Sequence, residues 1–212
     1  MNYKEFKTAA LRKDAIKNDN VHYFSKYLAP LISYIFFKLK FSPNQATFLF
    51  LLIGILSSVF LYKLLPILSY IMWRFHIIID MADGNLARSR QMFSKHAIGF
   101  DRSNHIIINT TILLIPLYIN NNNFLLANCL LVAFYLYYFF SRNFSDDKSK
   151  VNEFSLQKNM IKNIFGLEGY ILTHCLLVYF EYFKYIEAAC FFYTISFFTL
   201  FLIKLANRII KT

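Results

Sequence analysis

LPILSYIMWRFHIIIDMADGNLARSR, Leu65 to Arg90, is the stretch whose reading decides the fold. It opens as an apolar run and closes on two aspartates three residues apart, a glycine and two arginines. An apolar run over 64–81 approaches the roughly 20 residues that cross a bilayer as a helix. Carboxylates at membrane depth are costly, so their presence at the end of such a run points to function.

Outward from this stretch, further apolar runs occupy 47–62, 97–119, 123–141, 169–183 and 186–206. The chain is 57% hydrophobic and 19% aromatic over 212 residues, whereas soluble domains are nearer 45–50% apolar. The expected fold is therefore all-α: a polytopic membrane protein of six transmembrane helices, preceded by an amphipathic interfacial helix. It reads as a single domain over 1–212, with an interfacial segment at 1–41 and a six-helix bundle at 42–206. The first 20 residues are polar and charged, so no cleavable signal peptide is expected.

Charge placement sets the expected topology. Twenty of the 23 lysines and arginines fall before helix one, between helices two and three, between four and five, or at the end of the chain. Only Lys63 and Lys184 fall on the opposite side, and Arg74 lies inside helix two. The positive-inside rule makes the basic side cytoplasmic, with both termini there. The net charge of +11 then reads as topology and attraction to anionic lipid, and nucleic acid is excluded as a partner.

Residues 20–41 mix aromatic and aliphatic positions with Lys26, Lys38 and Lys40. Pro30 interrupts any single straight helix there, so the segment is expected to lie in the interface. Ser42 to Asn44 reads as a turn into helix one, Ile119 to Asn123 as an external turn, and Ser141 to Asn159 as a cytoplasmic loop with room for a short surface helix. Cys129, Cys175 and Cys190 sit within predicted helices at unrelated spacing, which suggests core packing and no disulfide framework.

Three aspartates border apolar runs: Asp80, Asp83 and Asp101. Asp80 and Asp83, at i and i+3, share one helix face, as do Asp101 and His105 at i and i+4. Side by side at the cytoplasmic boundary, these four residues would offer three carboxylates and an imidazole to one point. Such carboxylates repel one another unless a cation sits among them, and hard oxygen ligands suit Mg²⁺ or Mn²⁺. Gly84 opens the backbone to a ligand, Ala87 keeps the same face open, and Arg88 supplies a planar cation for phosphate oxygens. The plainer reading leaves the two aspartates as helix-end residues paired with Arg88 or Arg90.

Asp80-x-x-Asp83-Gly84-x-x-Ala87-Arg88, then eight residues, then Ala97-x-x-x-Asp101-x-x-x-His105, resembles the DxxDGxxAR, eight residues, GxxxDxxxD signature of CDP-alcohol phosphatidyltransferases. Ala97 stands where that signature has its second glycine, with Gly99 two residues on, and His105 stands where it has its fourth aspartate. SPNQAT, Ser42 to Thr47, resembles the PNxxT entry to the first helix in that family.

The resemblance implies an enzyme that moves a substituted phosphate from a CDP-alcohol donor to an alcohol acceptor and releases CMP, in phospholipid or related lipid or glycan biosynthesis. It implies Asp80, Asp83, Asp101 and His105 as ligands of Mg²⁺ or Mn²⁺, two ions in all. Gly84 and Ala87 would form the floor under the nucleotide, Arg88 would hold the pyrophosphate, and Asn44 and Thr47 would touch the nucleotide or cap their helix. Membrane lipids are expected neighbours, and a homodimer and a bacterial inner-membrane location, with the active site cytoplasmic, are further implications. The fourth aspartate usually binds metal and deprotonates the acceptor, so that work falls to His105, with Asp101 named beside it as catalytic. Imidazole, with an ordinary pKa of about 6.5, suits that work near neutral pH. Arg74 and His76 lie on the helix leading into the site, with His76 one turn before Asp80, and Arg142 ends helix four on the basic side. No residue selects the donor or acceptor alcohol. Other classes stay open at this point: a catalytically weakened member or non-catalytic scaffold without metal-dependent CMP release, and an ion-coupled transporter with its carboxylates at the bilayer midplane.

Overall fold

The computed structural model describes residues 1–10, 23–92, 95–120, 123–143 and 164–209. Among them every regular element is helical: α1 (Tyr3–Ala10), α2 (Tyr23–Lys38), α3 (Pro43–Tyr62), α4 (Pro66–Arg90), α5 (Lys95–Ile119), α6 (Phe124–Asn143), α7 (Leu167–Tyr179) and α8 (Ile186–Ile209), with a 3₁₀ turn at Phe183–Tyr185 before α8. Among the described residues, three segments are long and apolar enough to cross a membrane: Pro43–Tyr62, Phe124–Ser141 and Phe183–Ala206. The chain is thus a helical protein built for a membrane. Helices α4 and α5 are 25 residues each, yet α4 carries Arg74, Asp80 and Asp83 and α5 carries Asp101, Arg102, Asn104 and Asn109. Helix α7 has 13 residues, a rise of about 20 Å.

Local chemistry explains the helix boundaries. α1 begins with a capping box in which Asn2 Oδ1 accepts from the Glu5 N–H at 2.9 Å and Glu5 Oε2 accepts from the Asn2 N–H at 3.0 Å. α3 begins with a second box. Ser42 Oγ accepts from the Gln45 N–H at 3.2 Å, Gln45 Oε1 accepts from the Ser42 N–H at 2.7 Å, and Pro43 takes the first helical position. The cap of α3 is therefore Ser42 with Gln45, and neither Asn44 nor Thr47 serves in it. Asn123 Oδ1 accepts from the Leu126 N–H at 3.1 Å and caps α6.

Four helix ends use a non-glycine residue in the left-handed region: Lys40, Leu64, Gln91 and Glu181, with φ between 56° and 60°. After α2 the Phe41 and Lys40 N–H groups donate to the Phe36 and Phe37 carbonyls, and after α4 the Met92 and Gln91 N–H groups donate to Ala87 and Arg88. These pairs close the ends by the Schellman pattern, in which glycine is the usual residue.

Pro30 does not break its segment. α2 runs continuously from Tyr23 to Lys38 with Pro30 inside it. Proline forfeits one backbone bond, and the apolar residues on both sides still favour one helix. The loop expected to carry a surface helix, 144–159, and the external turn at 121–122 lie outside the described residues, as does the Arg142 side chain.

The described residues form two compact units. The first comprises Met1–Phe60 and Ile67–Thr111. Within it α1 lies on α2 through Phe6, whose ring sits 5.5 Å from Tyr34 and 5.2 Å from Phe37. Small residues let α3, α4 and α5 close on one another, as they do wherever the apolar solvent gives helices no reason to associate. Ser57 and Ser69 exchange hydrogen bonds, each hydroxyl donating to the other's carbonyl at 2.8 Å. Ser58 Oγ lies 3.1 Å from Thr111 Oγ1, and Asn104 Nδ2 donates to the Thr47 carbonyl at 3.3 Å. A Cβ built on Gly54 would stand 2.6 Å from Ile108 Cδ1, so α3 meets α5 at a distance only glycine permits.

The second unit comprises Leu61–Pro66 and Ile112–Thr212. Phe134 meets Phe197 edge-on at 5.2 Å, and Phe140 meets Phe201 at 5.6 Å, joining α6 to α8. Lys204 Nζ donates to Ser141 Oγ and lies 4.8 Å from the centre of the Tyr137 ring. The buried Tyr170 hydroxyl donates to the Leu113 carbonyl at 2.6 Å. His174 Nδ1 donates to the Tyr170 carbonyl at 2.7 Å, which leaves Nε2 to accept from Cys190 Sγ at 3.3 Å. All three cysteines are free thiols, Cys175 and Cys190 buried and Cys129 exposed.

Candidate metal centre

Two helices of the first unit carry the acidic motif. α4 presents Asp80 and Asp83 one turn apart, and α5 presents Asp101 and His105 one turn apart. His105 Nε2 lies 3.3 Å from Asp80 Oδ1 and 3.4 Å from Asp101 Oδ1. One ligand atom from each of Asp80, Asp101 and His105 falls within 4.8 Å of the other two, a set able to hold a metal ion. All three side chains are half-buried, so an ion there would be shielded from bulk water yet reachable. Phe50, fully buried on α3, backs the imidazole with its ring 5.4 Å from that of His105.

Asp83 is turned to a different partner. Its Oδ2 accepts from Thr47 Oγ1 at 2.7 Å, across from α4 to α3, while the same hydroxyl lies 3.0 Å from the Pro43 carbonyl. Burial pushes the Asp83 carboxyl up, and the negative charge of Asp80 adds to it, raising it from 3.8 to about 8. Asp101 raises it further, whereas the Thr47 hydroxyl and the Gly84 backbone act in the opposite sense. Asp83 is thus held where its charged form is poorly solvated, a cost that a nearby cation would offset.

The nucleotide-facing residues of the sequence reading are distributed as follows. Gly84 lies under the Arg88 guanidinium, whose Nη1 would be 3.4 Å from a Cβ built there. Arg88 Nε donates to the Ala10 carbonyl at 2.7 Å, and Arg88 Nη2 donates to Asn85 Oδ1 at 2.6 Å. Arg90 Nη2 donates to the Phe37 carbonyl at 3.4 Å. The basic end of α4 therefore holds the carbonyl ends of α1 and α2, where the helix dipole favours positive charge. Ala87 is half-buried, and its carbonyl closes the end of α4. Asn44 is exposed and lines a surface groove of about 480 Å³ with Phe41, Gln45, Phe48, Leu49, Leu52 and Phe100. Thr47 is buried against Asp83.

The sequence reading passed over three features. Ser42 and Gln45 carry the Ser-x-x-Gln spacing of a capping box, a legible signal. The bond from Thr47 to Asp83 and the bond from Arg88 to Ala10 span 36 and 78 residues, and local pattern carries no trace of either. No protein-family model matches this chain, and no curated protein matches its sequence.

Proposed function

We propose that this chain is an integral membrane phosphotransferase of the CDP-alcohol phosphatidyltransferase type. It would move a substituted phosphate from a CDP-alcohol to an acceptor alcohol and release CMP. The observation that carries this reading is the meeting of Asp80, Asp101 and His105, from two helices, at motif spacing and within 4.8 Å. The donor set of two carboxylates and one imidazole fits a divalent ion. Bound there, such an ion would neutralise charge on the donor diphosphate and make CMP a better leaving group.

The chain's own groups supply the rest. His105 Nε2 faces both carboxylates, the place of a ligand shared with them. With His105 Nε2 turned toward the two carboxylates, the proton-accepting role expected of His105 passes to Asp101, which would take the proton from the acceptor hydroxyl as that oxygen attacks phosphorus and CMP departs in line. Arg88, carried over Gly84, offers positive charge to the diphosphate. Six crossings would comprise α3 to α8, with the short α7 crossing a locally thinned bilayer. The basic segments would face the cytoplasm, and the motif would then lie at the inner-leaflet boundary.

The test is a panel of CDP-alcohols and acceptor alcohols, lipid and small polar, with the purified protein and Mg²⁺ or Mn²⁺, following CMP. Metal-dependent release that Asp80→Asn and Asp101→Asn abolish is the expected result. Metal binding without CMP release from any pair would leave a non-catalytic scaffold and defeat the reading.

A further inference from the structure

His76 stands one turn before Asp80 on α4, four residues earlier. On α5, Asp101 and His105 are also four residues apart. Each helix therefore presents one imidazole and one carboxylate at the i, i+4 spacing by which a helix offers two ligands to one ion.

The state of the His76 ring supports the pairing. Nδ1 donates to the Trp73 carbonyl at 3.2 Å, which fixes the tautomer and leaves Nε2 as a bare lone pair. That is how a metal-binding histidine is normally held, with its other nitrogen on a carbonyl or carboxylate. Nε2 is buried and has no hydrogen-bond partner among the described residues, in a side chain only 3% exposed. A buried acceptor left without a donor is costly, so a ligand for it is expected. His76 and His105 flank the same Phe50 ring, at 5.8 and 5.4 Å, and Asp80 and His105 are both close enough to His76 to act on it electrostatically. Aromatic packing against Trp73, 4.5 Å away, accounts for the ring but not for its lone pair.

We propose that His76 is the fourth ligand of the centre, which is then a site of two imidazoles and two carboxylates: His76, Asp80, Asp101 and His105. This rests on the metal-centre part of the reading above and changes the ion it selects. Its nitrogen content favours a borderline dication such as Mn²⁺, Fe²⁺ or Zn²⁺ over Mg²⁺, whose preference is oxygen. His76 Nε2 lies outside the 4.8 Å cluster of Asp80, Asp101 and His105, so the proposed ligation requires the ring, one turn from Asp80 on the same helix, to close on the ion as it binds.

Pulsed electron paramagnetic resonance of Mn²⁺ bound to the full-length protein in detergent tests this by counting directly coordinated ¹⁴N nuclei. The wild type should show two coupled imidazole nitrogens, and ¹⁵N-histidine labelling should shift both. His76→Gln and His105→Gln should each leave one, and His76→Gln should lower the Mn²⁺-over-Mg²⁺ preference tenfold or more. The wild-type count stands even if a variant fails to fold. A single nitrogen in the wild type, or a His76→Gln protein with an unchanged spectrum and preference, overturns the proposal and leaves the three-residue centre standing. Absence of specific Mn²⁺ binding overturns the metal centre as well. CMP release, measured separately, reports on the transfer reaction alone.

Discussion

Gly54→Ala is the sharpest probe of how the bundle holds its site. The new methyl would stand 2.6 Å from Ile108 Cδ1 and 2.8 Å from both Cγ1 and Cγ2. Carbon atoms meet at about 3.5–4.0 Å, so three contacts are each short by about 1 Å. Ile108 is fully buried, and a β-branched residue in a helix has little rotamer freedom with which to swing aside. The relief must come from movement of α5 away from α3. Overpacking of this kind costs about 1–3 kcal/mol, and replacing a helical glycine by alanine returns about 1 kcal/mol. The net loss of stability is therefore small, roughly 0–2 kcal/mol. The site should suffer more. His105 precedes Ile108 by three residues on the same helix, about 4.5 Å along the axis. A misplacement of about 1 Å costs on the order of 100-fold in rate. The assay pairs a detergent melt with Mn²⁺ affinity and CMP release. Gly54→Ala should fold, bind Mn²⁺ more weakly and turn over far more slowly. In an Ile108→Ala background, which removes all three clashing atoms, the same substitution should be close to neutral. An unaltered site in Gly54→Ala, or an equal penalty in both backgrounds, would refute the reasoning.

Other substitutions probe separate parts of the structure. His105→Asn should weaken Mn²⁺ binding by at least the 10–100-fold typical of a lost ligand-shell partner and lower CMP release with it; unchanged affinity by titration would remove His105 from the ligand set. In protein stripped of metal, Asp83 keeps its proton up to about pH 8, whereas an unfolded aspartate loses it near 3.8. Stability should therefore fall as pH rises from about 4 to about 8, because the folded state binds the extra proton, and then level off. Asp83→Asn should flatten that slope in a melt series, and a slope that persists would mean another group is responsible. Thr47→Val, nearly isosteric, should cost about 1 kcal/mol by removing the hydroxyl from Asp83, read as a lower melting midpoint. Lys40→Gly and Gln91→Gly should each stabilise by roughly 0.5–1 kcal/mol, since glycine adopts their left-handed conformation without strain; a lowered midpoint for both would contradict the helix ends described.

The helices were legible because their signals are local. Long apolar runs set α3, α6 and α8 closely, and the motif spacing alone put Asp101 and His105 on one face. α7 was drawn too long, 169–183 against Leu167–Tyr179, because Glu181 takes a left-handed turn inside a run that is still aromatic. Pro30 was read as a break, yet its flanks carry the helix through. At the site, Asp83 could be grouped with Asp80 by spacing, but its bond to Thr47 depends on how α3 lies against α4. Arg88 was assigned to phosphate from its chemistry. Its bond to the Ala10 carbonyl depends on where α1 lies, which no pattern near residue 88 records. His76 was visible as a neighbour of Asp80, but only coordinates could show that its second nitrogen lacks a donor.

The acceptors that Arg88 and Arg90 hold at the ends of α1 and α2 are main-chain oxygens, which every amino acid carries. Random drift at position 10 cannot delete its acceptor as long as the residue there stays helical, whereas one change at either arginine can remove a latch. Constraint is thus lopsided: the early segment is held by its shape and the end of α4 by its letters. A mutational scan read as a heat map should show Ala10, which is fully buried, limited by side-chain size alone beside an Arg88 intolerant of any change, although the two atoms touch.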